Sequence, residues 1–191
     1  LDGFPGRPLF AVKSNPDEQV LRCLWDAGIR CFDTASLVEI ELVKSLFPEA
    51  TCYFMGPVRL LGAARRAYEE FGVRNFVVDH MNALEILKGE VPMADCMVFA
   101  RMVTPSKYSQ YDFSSKFGAS PDKAAELLQA IEATGARPSL AFNVGSLVRQ
   151  PDAYRDALAS ATDVLTRAGV DIHELDIGGG YPARYGGIDV E

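Results

Sequence analysis

The 191-residue chain is 48% hydrophobic and 24% charged, with a net charge of −7, a balance that suits one sizeable globular core. No block of lysines and arginines supplies the positive field that a nucleic acid or an anionic membrane surface requires, and no apolar run approaches the roughly 20 residues that span a bilayer. The N-terminus lacks the layout of a signal peptide, so a cytoplasmic address is expected. Cys23, Cys31, Cys52 and Cys96 form no C-x-x-C pair or Cys/His cluster, which predicts reduced core thiols and no metal site.

The apolar run Pro8 to Val12 predicts a strand, and Lys13 closes it, followed at once by Ser14-Asn15-Pro16. An amine at a strand end is ordinary as a solvated charge, but burial beside polar groups makes a lysine a Schiff-base nucleophile. From Asp17 to Ala27, Val20, Leu21, Leu24 and Trp25 recur at helical spacing, and Gly28 ends the helix. Cys31-Phe32-Asp33 reads as a short strand. Ser36-Leu37-Val38-Glu39 has the capping-box form and opens a helix that runs through Phe47, where Pro48 stops it.

The alternation continues through strand 51–55, helix 58–71, strand 75–78, helix 82–88 and strand 97–101. A polar connection over 103–120 follows, then helix 121–134, strand 139–143, helix 152–168 and strand 174–177. Such a series predicts an α/β fold with a parallel sheet, doubly wound or closed into a (β/α)8 TIM barrel. The barrel is favoured, because no linker interrupts the units and polar groups follow the strands: Lys13, Asp33, Asp79, Arg101, Asn143 and the glycines from Gly178. In a barrel these positions share the rim that carries active sites. Seven strands are visible, so residues 1–191 are expected to form one barrel domain that is incomplete at both ends.

Gly178-Gly179-Gly180 directly follow a strand, where backbone N–H groups are accessible to an anion, so a phosphate site is plausible. The stretch Gly178-x-Gly180-x-x-Ala183 also fits a dinucleotide fingerprint, but Pro182, Gly186 and Gly187 disfavour the helix that motif must open. Asn143-Val144-Gly145-Ser146 follows strand six as a turn, and the Ser146 hydroxyl offers the same anion a further bond. Arg101 ends an apolar strand and needs an opposite charge, for which Asp33 is the nearest rim candidate. His80 stands on the rim as a weak site candidate and His173 is assigned to the surface. Phe10, Phe32, Phe54, Phe76, Phe99 and Phe142 suggest barrel filling or helix packing.

Together, Phe10-Ala-Val-Lys-Ser-Asn-Pro16, Phe32-Asp-Thr-Ala-Ser36 with Glu39, Ser115-Lys-Phe-Gly118, Phe142-Asn-Val-Gly-Ser146 and Leu175-Asp-Ile-Gly-Gly-Gly-Tyr-Pro182 closely resemble the ornithine, diaminopimelate and arginine decarboxylase family. The resemblance covers nearly the whole chain and implies an alanine-racemase-like barrel that binds pyridoxal 5′-phosphate. It implies that Lys13 forms the internal aldimine, that Ser146 and Gly178, Gly179 and Gly180 hold the phosphate, and that Asp33 and Arg101 line the cofactor pocket. It also implies a homodimer with shared active sites, in which Lys116 is a candidate interface residue.

Two positions depart from the family. Asn143 stands where members usually carry a histidine that stacks on the cofactor ring, and Leu147 where many carry glycine. The implied activity is decarboxylation of a basic amino acid in polyamine or amino-acid metabolism: the substrate amine displaces Lys13, and the cofactor ring takes up the electrons released with CO2. The family's partner for the pyridine nitrogen and its substrate-binding groups lie after strand eight and in a C-terminal β domain, both beyond Glu191. The alternatives are an amino-acid racemase on the same barrel and a non-catalytic regulator similar to the antizyme inhibitors.

Overall fold

The computed structural model describes residues 6–104 and 117–181. Seven strands, β1 (Leu9–Ala11), β2 (Cys31–Thr34), β3 (Thr51–Phe54), β4 (Asn75–Val78), β5 (Met97–Arg101), β6 (Arg137–Ala141) and β7 (Leu175–Asp176), form one sheet in sequential order. Every neighbouring pair is parallel. The connecting helices are α1 (Glu18–Asp26), α2 (Leu37–Leu46), α3 (Ala63–Phe71), α4 (Met81–Lys88), α5 (Pro121–Ala133) and α6 (Asp152–Ala168). This is the α/β alternation of a (β/α)8 barrel, present here as seven curled strands. Among the described residues no helix is long and apolar enough to cross a membrane, and no group of three His, Cys, Asp or Glu side chains could hold a metal ion.

Strand periodicity sorts the side chains into two layers. Phe32, Phe54, Phe76, Val98, Leu140 and Phe142 pack outward against the helices. Their alternates Cys31, Tyr53, Val77, Met97, Phe99 and Ala141 form a separate inner cluster with Leu9 and Met55. Of the recurring phenylalanines, therefore, Phe99 fills the barrel and most of the others seat helices. Cys31, Cys52 and Cys96 are buried thiols and Cys23 is exposed.

The curl brings together residues distant in sequence at the N-terminal ends of the strands. Arg7, just before β1, pairs with Glu174, just before β7. Tyr53 on β3 bonds both: Arg7 Nη2 donates to its hydroxyl oxygen (3.0 Å), and the hydroxyl donates to Glu174 Oε2 (3.2 Å). This polar knot forms the floor of the barrel.

Local capping chemistry explains most element boundaries. Asp17 caps α1, its carboxylate accepting from the N–H groups of Gln19 and Val20, so Pro16 lies before the cap and not inside the helix. Ser36 Oγ accepts from Glu39 N–H while Glu39 Oε2 accepts from Ala35 N–H (2.8 Å), which is the expected box reaching one residue further back. Helix α3 begins five residues later than its composition suggests. Gly62 takes φ +82°, and the Glu90 carboxylate, from beyond α4, accepts from the N–H groups of Gly62 (2.6 Å) and Ala64 (3.0 Å). Val58, Leu60 and Leu61 are left exposed. Strand β6 starts two residues earlier than expected, since its register is set by pairing Arg137–Ala141 with Met97–Arg101.

Candidate functional site

Alternation along the strands also builds the opposite end. Asp33 follows Cys31 on the inner face, Asp79 follows Val77, Arg101 follows Phe99, and Asp176 pairs with inward-facing Ala141. Three carboxylates thus face one guanidinium at the C-terminal rim. Burial lowers the Arg101 pKa, and Asp79, Asp33 and Asp176 counter it, in that order. Asp33, foreseen as the partner of Arg101, is one of three; the Arg101 guanidinium also lies over the Phe117 ring, 5.4 Å from its centroid.

Lys13 does not end β1. The strand stops at Ala11, and Val12–Ser14 form a one-turn 3₁₀ helix in which Asn15 N–H donates to Val12 O (3.1 Å) and Ser14 Oγ donates to Ala11 O (2.7 Å). Val12 is fully buried and anchors the turn, while Lys13 is exposed. What distinguishes Lys13 is its neighbour: burial pushes the Asp33 carboxyl up to about 6, against the pull of Lys13, with Asp176 and Glu39 adding to the rise. Burial also raises Asp176, although Gly178 N–H donates to its Oδ1 (2.7 Å) and Arg101 lies close.

The glycine run and the loop after β6 are packed on each other. A Cβ on Gly178, at φ +68°, would lie 2.6 Å from Phe142 O, and one on Gly180, at φ +100°, would collide with Gly145 O. Val148 N–H donates to Gly180 O (3.0 Å), so Ser146 is carried on a strip of chain tied to the glycines. Among the described residues, no acceptor meets the N–H groups of Gly179 and Gly180. Such a cradle of side-chain-free backbone fits an anion.

Asn143 lies two residues beyond β6. Its Oδ1 accepts from Gly145 N–H (2.8 Å) and its carbonyl accepts from Thr104 Oγ1 (2.8 Å), so the side-chain oxygen closes an Asx turn. Leu147, at φ +54°, is the single non-glycine residue with positive φ among the described residues, which explains physically why glycine suits that position. His80 takes a structural role: its Nδ1 caps α4 by accepting from Asn82 N–H (3.2 Å). His173 is exposed. Lys116 lies outside the described residues, as do Pro182, Ala183, Gly186 and Gly187, on which rejection of a dinucleotide fingerprint turns. Asp176 is a rim carboxylate to which the sequence reading gave no role; an acid at the end of a short strand just ahead of three glycines was its signal.

The family model described as pyridoxal-dependent decarboxylase, pyridoxal binding domain, matches residues 2–189. The chain belongs to the pyridoxal-dependent decarboxylase family. It is 33% identical over 184 residues to the decarboxylase flvG of Aspergillus flavus, covering 93% of this chain and 42% of that protein. It is 31% identical over 178 residues to the lysine/ornithine decarboxylase of Selenomonas ruminantium, covering 91% and 44%. The Paramecium bursaria Chlorella virus arginine decarboxylase bound to agmatine superposes with a TM-score of 0.84 at 28% identity, over 98% of this chain and 52% of that one. The chain thus spans less than half the length of these two curated relatives. The cofactor of the family is pyridoxal phosphate, and the glycine cradle is the feature of this structure that fits its phosphate.

Proposed function

We propose that the chain is the cofactor-binding barrel of a decarboxylase that acts on a basic amino acid, ornithine, lysine or arginine, with diaminopimelate a further candidate. The observation that carries this reading is the side-chain-free cradle of Gly178, Gly179 and Gly180 on the same rim as Lys13 and Asp33. In this reading Lys13 binds the cofactor covalently, and the three glycines with Ser146 hold its phosphate. Asp33, Arg101 and Asn143 line the pocket. Bound pyridoxal phosphate supplies the electron sink that α-decarboxylation requires.

The chain's own groups do the remainder. Asp33, half-protonated at about pH 6, is suited to hold a proton beside the Lys13 amine. Arg101 offsets part of the charge of the three rim carboxylates. Asn143 fixes the loop that carries Ser146, and its amide replaces a ring-stacking side chain, so the reading does not rely on an aromatic face there. We further read the protein as a cytoplasmic homodimer with shared active sites in polyamine biosynthesis, with Lys116 at the interface; the similarity to ornithine and lysine decarboxylases supports this.

The test is CO2 release by the purified full-length protein, including any chain beyond the barrel, supplied with pyridoxal phosphate and each of the four amino acids in turn. Turnover of one of them is expected. Silence with all four while the cofactor is demonstrably bound would contradict the decarboxylase reading and favour a racemase or a regulator.

A further inference from the structure

Glycine runs are conformationally free, and a loop that must present N–H groups to an anion has to be held by something outside itself. Three bonds hold this one. Asp176 Oδ1 takes the Gly178 N–H, Val148 N–H takes the Gly180 carbonyl, and the Tyr154 hydroxyl donates to the Gly179 carbonyl (3.0 Å). The first two come from the strand and loop adjoining the glycines. The third comes from α6, where Tyr154 stands between Ala153 and Arg155, one turn before buried Ala157. Its ring stacks on Tyr181, with centroids 5.2 Å apart and planes 9° from parallel, so the phenol is aimed from a packed position.

We propose that Tyr154 is the positioning residue of the anion cradle, its hydroxyl fixing the Gly179–Gly180 peptide plane so that the Gly180 N–H is held available to a phosphate. The geometry follows from the peptide bond. Among the described residues no peptide is cis, and in a trans peptide the carbonyl and the N–H point to opposite sides. A donor that captures Gly179 O from the α6 side therefore turns the Gly180 N–H away from α6, where no described acceptor meets it. Burial, with Tyr181 alongside, raises the phenol pKa to about 12, so it remains a donor at physiological pH. Asp176 sets the Ile177–Gly178 peptide plane and Val148 the Gly180–Tyr181 plane, and Tyr154 sets the Gly179–Gly180 plane, one of the two between them.

The proposal rests on the reading of this loop as the cofactor's phosphate site, and the experiment separates the two. Dissociation constants of pyridoxal phosphate and of pyridoxal, which lacks the phosphate, are measured by calorimetry for the wild-type protein and for Tyr154→Phe. Phenylalanine keeps the ring stack and removes one oxygen. The expected result is an approximately fivefold loss of affinity for pyridoxal phosphate, the scale of one hydrogen bond, with pyridoxal unaffected. Equal losses for both ligands, which a merely structural tyrosine would give, overturn the proposal, as does no loss for either. A wild-type protein that binds the two ligands equally well overturns the cradle reading together with the proposal. Wild-type discrimination that survives intact in Tyr154→Phe overturns the role of Tyr154 alone.

Discussion

The two ends of the sheet carry similar side chains under different terms. At the floor, Arg7, Tyr53 and Glu174 satisfy one another: one acid, one base and one phenol joined by hydrogen bonds. At the rim, Asp33, Asp79 and Asp176 outnumber the guanidinium they face, and burial raises the pKa values of Asp33 and Asp176. The floor groups are compensated from within the chain, so their pairing serves the fold. The rim groups hold charge that folding disfavours, which is the pattern expected where a site is kept for chemistry.

The largest expected effect on stability comes from breaking this contrast at Asp33. The native carboxyl keeps its proton to about pH 6, whereas an unfolded aspartate releases it near 3.9. Between those values the native state binds more protons, so Asp33 makes stability fall as pH rises from about 4 to about 6, and the penalty is complete above that. Asp33→Asn should stabilise the cofactor-free protein by about 2 kcal/mol at pH 7 and by little near pH 4. Urea unfolding at the two pH values checks this; equal effects at both would place the cost elsewhere.

A floor change should run the other way. Tyr53→Phe leaves Arg7 and Glu174 paired and removes one partner from each, so a loss of about 1 kcal/mol is expected at pH 7, with cofactor affinity unchanged. A change in affinity would show that the two ends are coupled. The smallest effect is expected at Leu147→Gly, which relieves a left-handed leucine at φ +54° but gives the unfolded chain more freedom. A net gain of roughly 0.5 kcal/mol in the same unfolding assay is expected, and a net loss would mean that the Leu147 side chain contributes more packing than its strained backbone costs.

What the sequence disclosed divides along the same line. The rim was legible because its members stand at the C-terminal ends of their strands or just beyond them, so alternation of apolar runs was enough to gather Asp33, Asp79, Arg101 and the glycines. The floor was not: Arg7, Tyr53 and Glu174 are up to 167 positions apart, and nothing local marks them as partners. The same reason explains the boundaries that moved. The start of α3 is decided by Glu90, 28 residues from the Gly62 N–H it takes, and the span of β6 by its pairing with β5. At Lys13 the setting differs from the expected strand end, because a buried Val12 and one 3₁₀ turn leave the amine exposed. His80 was a rim site candidate in sequence and is a helix cap, a role fixed by the bond that its ring accepts from the backbone two residues on.

The central claim is that the rim takes pyridoxal phosphate on Lys13, and covalent trapping tests it most directly. The protein is incubated with pyridoxal phosphate, reduced with borohydride, digested, and searched by mass spectrometry for the pyridoxyl-modified lysine. The account predicts one dominant adduct, on the peptide containing Lys13, and its loss in Lys13→Ala. A dominant adduct on another lysine, or no adduct at saturating cofactor, would contradict it.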